Sequence, residues 1–249
     1  MIEPDWTRDA PAAGGMGNTV LYKMVQDFPN HSCPDIVRDK MLIIGRVYSA
    51  AVTRGAGLKG SEVEDNEGGL YGHLADRIVA KGGELDKRID SCRNYGRVNL
   101  ANVHSVIEAH AFLNGIIVEG IKAWRGQEST SERNVWARAS FVSKYLHFHV
   151  PMAFFILDSI VSATLKNLRP PRTRTQWPAT SRKEHRTAYG THCVRMLDCA
   201  DRHYSGTDWT PRMLDGHLMG YINGDGIPSD VLVARNKRIA ADRSRRAVP

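Results

Sequence analysis

Two residues in this chain have the types and spacing to do chemistry together, Lys144 and Asp158. They lie in the stretch Ala139 to Leu165, which reads A-S-F-V-S-K-Y-L-H-F-H-V-P-M-A-F-F-I-L-D-S-I-V-S-A-T-L. Lys144 stands alone in a largely apolar helical pattern, and Asp158 follows 14 positions later, in front of a second apolar run. Burying an amine or a carboxylate without a partner is costly, so chains keep such groups where they meet each other, water or a ligand. An amine and a carboxylate facing one cavity are also the equipment for breaking an N-glycosidic bond. As the C1′–N bond breaks, positive charge develops on the sugar, and a nearby carboxylate stabilises it or orients an attacking water. The amine either attacks C1′, if an apolar setting lowers its pKa, or stays charged and binds a phosphate or the departing base. Taken singly, each residue has an ordinary reading: Asp158 as a helix N-cap, Lys144 as a surface lysine with a buried stem.

The elements that must position this pair read as helices almost throughout. Val37, Met41, Ile44, Tyr48, Ala51 and Val52 repeat at helical spacing and predict a buried helix of about five turns. Residues 69–81 and 97–124 read the same way, the second apolar enough to be central. Ser129-x-x-Glu132 resembles a capping box opening the helix that carries Lys144. Val135, Ala139, Val142 and Leu146 form that helix's core stripe. Lys144 lies about 200° around the axis from Val142 and Leu146, on a face shared with Ser140, Phe141, His147 and Phe148. Pro151 interrupts the helix, and Asp158 caps the next one, which buries Ile160, Val161 and Leu165. Helices near 183–203 and 210–223 follow. Strand alternation is weak everywhere, so the fold class expected is mainly α. One unit spanning 1–249 is expected, with room for two lobes, 30–125 and 126–225, around a cleft and a basic tail at 226–249.

Charge is uneven along the chain. From Lys166 onward there are 16 Lys and Arg against 8 Asp and Glu, leaving 18 against 19 in residues 1–165. Surplus positive charge confined to the last third suits a polyanion, and the partner expected is DNA in its double-stranded form. The Pro- and Arg-rich loop with Arg169, Arg172, Arg174, Arg182, Lys183 and Arg186 is the candidate grip on phosphates. No apolar run approaches the roughly 20 residues that span a bilayer, and no secretory leader pattern opens the chain. Four Cys do not make a disulfide framework in 249 residues. These features point to a cytoplasmic protein that is not a membrane protein.

Other constellations are weaker. Gly55 to Gly60 satisfies G-x-G-x-x-G but follows a helix pattern, where a turn is the better reading than a dinucleotide site. His192, Met196, Cys199 and His203 share a helical face without a further ligand spaced nearby for a metal. No cofactor is expected. Trp177, Trp209, Tyr145 and Phe148 offer stacking surfaces or core. Tyr145, His147 and Phe148 beside Lys144, with Arg46 and Tyr48 upstream, are the candidate substrate-binding residues.

The pattern K-Y-L-H-F-H followed by F-I-L-D-S-I-V, entered from one helix and leaving into another, resembles the active-site element of the helix-hairpin-helix base-excision DNA glycosylases. It is most similar to the bacterial subgroup with the 8-oxoguanine-glycosylase fold. Asp39 to Arg54, D-K-M-L-I-I-G-R-V-Y-S-A-A-V-T-R, resembles a helix of bacterial proteins in this group, some linked to phage defence. The resemblance covers about a quarter of the chain. It implies a helix-hairpin-helix glycosylase-like bundle, with Lys144 and Asp158 flanking a flipped base. It further implies excision of a modified base, such as a bulky substituted cytosine of a phage, to leave an abasic site. The chain departs from the family in three ways. The segment before Lys144 reads R-A-S-F-V-S, without the glycines of the family's hairpin; the Lys-to-Asp spacing is shorter; and the four-Cys iron–sulfur element of some branches is absent. The competing expectation is a helical nucleic-acid-binding or adaptor protein without catalysis.

Overall fold

The computed structural model describes residues 15–48, 52–55, 61–125, 132–168, 187–203 and 208–223. Within them the chain is helical and contains no strand. The helices are α1 (Gly15–Asp27), α2 (Pro34–Val47), α3 (Val52–Gly55), α4 (Ser61–Ala80) and α5 (Gly82–Asn94). They continue with α6 (Val103–Arg125), α7 (Glu132–His149), α8 (Ser159–Leu168), α9 (Ala188–His203) and α10 (Pro211–Asn223). No described helix is long and apolar enough to cross a membrane.

Local chemistry accounts for where several helices begin and end. Pro34 sits in the first turn of α2 behind an extended Cys33, where its missing N–H costs nothing. Asp35 in the first turn and Arg46 in the last complement the helix dipole. The five-turn helix expected from Val37 to Val52 is instead two elements. The first ends at Val47, and the Val52 amide is taken by the Tyr71 hydroxyl at 3.2 Å, not by a preceding helical turn. The helix expected from residue 97 starts at Val103, because asparagine side chains claim the backbone before it. Asn99 Oδ1 accepts from the amides of Ala101 (2.8 Å) and Asn102 (3.2 Å), while Asn102 Oδ1 accepts from the Asn99 amide at 2.8 Å. The 69–81 pattern belongs to a longer helix, α4, which begins at Ser61. Glu132 is the first residue of α7, and its expected capping partner Ser129 lies outside the described residues. So do residues 56–60 of the glycine motif, the 226–249 tail and Trp177.

One apolar core runs from Leu21 in α1 to Leu218 in α10. Helix α7 lies within it and is buried around its circumference from Phe141 to His149. The face opposite Val142 and Leu146 is therefore covered as well, and Lys144 lies beneath the surface. Gly82 permits a close approach at the start of α5, since a Cβ there would come within 2.2 Å of the His31 carbonyl oxygen. No disulfide joins the four cysteines, of which Cys33 is half-buried and Cys92, Cys193 and Cys199 are buried.

Candidate functional site

The site is built on the connector between α7 and α8. After a turn at Pro151, residues Phe154, Phe155, Ile156 and Leu157 pass through the core without regular structure, each no more than 3% exposed. A buried non-helical backbone needs partners for its carbonyls, and neighbouring side chains supply them. Phe154 O accepts from His147 Nδ1 at 2.8 Å, and Phe155 O from the Tyr189 hydroxyl at 3.3 Å. Ile156 O accepts from His192 Nε2 at 3.0 Å, and Leu157 O from the Ser140 hydroxyl at 2.8 Å. The Leu157 amide donates to Ser143 Oγ at 2.8 Å. This lacing fixes where Asp158 emerges.

The same bonds set the histidine tautomers. A carbonyl only accepts, so His147 carries its proton on Nδ1, and its Nε2 accepts from the Tyr22 hydroxyl at 2.9 Å. His192 carries its proton on Nε2, and its Nδ1 accepts from the Ser162 hydroxyl at 2.9 Å. Burial pushes His147 down to about 3 and His192 to about 4, so both are neutral struts at neutral pH. His192 thus has both nitrogens engaged, and its expected companion His203 has no described side chain. Among the described residues no group of three or more His, Cys, Asp or Glu converges to hold a metal ion.

Asp158 is the N-cap of α8. Its Oδ1 accepts from the amides of Ile160 (2.7 Å) and Val161 (3.2 Å), and its carbonyl accepts the first helical bond, from Ser162. Lys144 is 4% exposed, and its ammonium donates to Ser140 Oγ at 2.7 Å. Burial lowers the Lys144 pKa, while the negative charges of Asp158 and Asp215 oppose that shift. The two predicted residues therefore share one electrostatic neighbourhood, joined through Ser140 and the Leu157 carbonyl.

The surroundings contain residues that the sequence does not single out. Asp215 in α10 is 7% exposed and pairs with Arg212 at 3.3 Å. Burial raises it to about 6, against the pull of Arg212 and Lys144, and the charge of Asp158 adds to the rise. An Arg–x–x–Asp pair in the first turns of a helix is a weak signal, since such pairs are common on solvated faces. Asn18 is 1% exposed and accepts from the Tyr48 hydroxyl at 2.5 Å, while its amide nitrogen has no partner among the described residues.

The predicted binding residues divide. Tyr48, His147 and Phe148 gather around this cluster, with the Phe148 ring 4.8 Å from Tyr22 and 5.5 Å from Tyr48. Tyr145 points to another part of the core, stacking on His149 at 4.7 Å and lying 5.7 Å from His31. Arg46 is exposed in the last turn of α2. Trp209 is buried, stacked 6.1 Å from Phe155 beneath the Arg97 guanidinium. Arg169, Arg172, Arg174, Arg182, Lys183 and Arg186 lie outside the described residues. A separate surface cavity of about 280 Å³ lies between α5 and α6, lined by Glu84, Lys87, Arg88, Ser91, Ser105 and Glu108.

Comparison with known protein families, with curated proteins and with solved structures finds no match to this chain.

Proposed function

We propose that the protein is a DNA N-glycosylase that extrudes a modified nucleotide and severs its base–sugar bond, leaving an abasic site. The observation that carries this reading is a buried amine with a lowered pKa, Lys144, in charge range of Asp158 at the head of α8. Extrusion costs a few kcal/mol of lost stacking and pairing, least where the base is already altered. Asp158 then faces the charge developing on the sugar, where a fixed carboxylate lowers the barrier. Lys144 attacks C1′ from its neutral form, a form that burial makes accessible. The order helix, proline turn, buried connector and capped helix agrees with a helix-hairpin-helix glycosylase-like bundle. The resemblance to phage-defence proteins favours a hypermodified phage base, such as a bulky substituted cytosine, as the target. The basic last third of the chain supplies charge for the duplex.

The test is incubation with duplexes carrying normal bases, 8-oxoguanine or modified phage bases, followed by alkali. Strand breaks on a modified duplex, absent with Asp158→Asn, support the reading. Salt-dependent DNA binding with no abasic product on any duplex replaces it with a non-catalytic binding or adaptor role. Borohydride trapping that disappears in Lys144→Ala assigns the nucleophile.

A further inference from the structure

We propose that the segment joining α1 to α2 is held down by an acid-opened latch, built from His31 of that segment, Lys40 of α2, Asp86 of α5 and His149 of α7. It shares no residue with the Lys144–Asp158 pair, and the inference does not depend on the glycosylase reading.

Each member is placed by a contact. The Asp86 carboxylate holds His31 twice, accepting from its backbone amide at 3.2 Å and from ring Nδ1 at 2.5 Å. Gly82, at the start of the same helix, lets the backbone of α5 lie against the His31 carbonyl. The His31 ring stacks on that of His149, with centroids 4.9 Å apart and planes 22° apart, and the Tyr145 ring stacks on His149 at 4.7 Å. The Lys40 ammonium donates to His149 Nε2 and to the Asn30 carbonyl, both at 3.4 Å. His31, Lys40, Tyr145 and His149 are each no more than 5% exposed.

The bonding fixes what a further proton does. His149 Nδ1 donates to the Tyr145 carbonyl at 2.9 Å, so it is the Nε2 lone pair that meets the Lys40 ammonium. A proton placed there sets two donors face to face and breaks the bond to Lys40. His31 gives its Nδ1 proton to Asp86, and its Nε2 is buried with no partner among the described residues. A proton there makes an imidazolium whose second N–H has no acceptor, close to a lysine that is already charged. With both rings neutral the latch holds one cation and one carboxylate, and every added proton leaves surplus positive charge away from water. Arg93 of α5 adds to that charge at His149, while the Tyr145 hydroxyl, kept protonated by burial, adds none.

The titration of each group follows the same direction. Burial lowers His31, His149 and Lys40, the last to about 8. Burial works against ionised Asp86, but its hydrogen bonds from His31 and the charge of Lys40 outweigh that and lower it too. All four groups therefore give up protons as the latch closes, and acid opens it. The imidazoles set the window, because a released histidine takes up its proton as pH falls through about 6.5. The freed segment carries α1, whose Tyr22 hydroxyl donates to His147 Nε2 at 2.9 Å, so opening loosens the mounting of a helix that packs on α7.

Hydrogen exchange read by mass spectrometry on the full chain, between about pH 7.5 and about pH 5 and corrected for intrinsic exchange, tests this. Amides in 28–40 and 81–90 are expected to lose protection first, by about tenfold per pH unit for each imidazole that the open form protonates. Those of α9 are expected to follow only at lower pH. Asp86→Asn keeps an acceptor for the His31 ring but removes the counter-charge, and is expected to raise the opening pH by about one unit. Lys40→Met keeps the length of the side chain but removes the competing cation, and is expected to lower it by about one unit. Opposite shifts in the two variants are the signature of charge, since lost packing would move both the same way. Equal protection of the two segments across the range, loss in step with α9, or shifts of the same sign or none in the variants overturns the proposal. No DNA enters the measurement, so its outcome and that of the base-release assay are separate.

Discussion

Lys144 and Ser140 are one helical turn apart, and the lysine ammonium donates to the serine hydroxyl at 2.7 Å. That hydroxyl donates in turn to the Leu157 carbonyl at 2.8 Å, one residue before Asp158. A hydroxyl has one proton and can accept as well as donate, so Ser140 relays between the Lys144 ammonium and the backbone carbonyl that precedes Asp158. Ser140→Ala removes the relay. It leaves a carbonyl and an ammonium short of a partner in a buried setting, where each lost partner costs about 1–3 kcal/mol. With two groups left unpaired, urea unfolding is expected to show a loss of about 2–6 kcal/mol. A midpoint equal to wild type would mean that the relay contributes nothing.

Asp158 is expected to separate capping from chemistry. Asp158→Asn keeps an oxygen for the Ile160 and Val161 amides, and asparagine is as good an N-cap as aspartate. Its stability should stay near wild type while base release is lost. Asp158→Ala should lose base release and also about 0.5–2 kcal/mol of stability. If Asn retained full excision, the carboxylate charge would have no catalytic role, and Asp158 would be a cap alone.

Acid should destabilise the fold well before most carboxylates titrate. His31, His110, His147, His149 and His192 are each no more than 5% exposed, and burial lowers all five, His110 and His192 to about 4. Below about pH 6.5 the unfolded chain binds protons that these native imidazoles refuse, so stability falls as pH falls from there toward 4. Each histidine contributes up to about 1.4 kcal/mol per pH unit. Asp215 works in the opposite sense. Its native value near 6 exceeds the ordinary 3.8, so between those limits the native state holds the extra proton. One carboxyl offsets one histidine, and a net loss remains. Urea midpoints at pH 7 and pH 5 measure it; equal midpoints would show that the imidazoles are charged or open to water.

Gly82 and Tyr145 give opposite expectations inside the core. Gly82→Ala drives a methyl against the His31 carbonyl and should cost about 1–3 kcal/mol, or displace the start of α5. A thermal melt matching wild type would show that the approach is looser than 2.2 Å. The Tyr145 hydroxyl is buried with no hydrogen-bond partner among the described residues. Tyr145→Phe removes a desolvated group and should leave stability unchanged or raised, with excision intact. Lost excision at unchanged stability would return Tyr145 to the site.

The legible parts of this molecule were those written locally. Lys144 in a helix, the break at Pro151 and the cap at Asp158 are local signals, and each is present. Asn99 and Asn102 reversed a local expectation, because their side chains compete for the amides that would have begun α6 sooner. Helices α1 and α5 carried too little apolar periodicity to be read; α5 buries only Gly82, Leu85, Ile89 and Cys92 among charged residues. At the site, the missing information is tertiary. Nothing around residue 215 indicates that a carboxylate there meets α7 and α8. Nor does the spacing of His147 and His192 show that a carbonyl waits at Phe154 and Ile156.

The sulfur atoms carry a consequence for handling. With no disulfide among the four cysteines, no covalent cross-link contributes to the fold, and side-chain packing holds it. Its melting temperature should therefore be indifferent to dithiothreitol. Of the four sulfurs only that of Cys33 is within easy reach of a maleimide, so the native chain offers a fluorophore a single preferred attachment point at the head of α2.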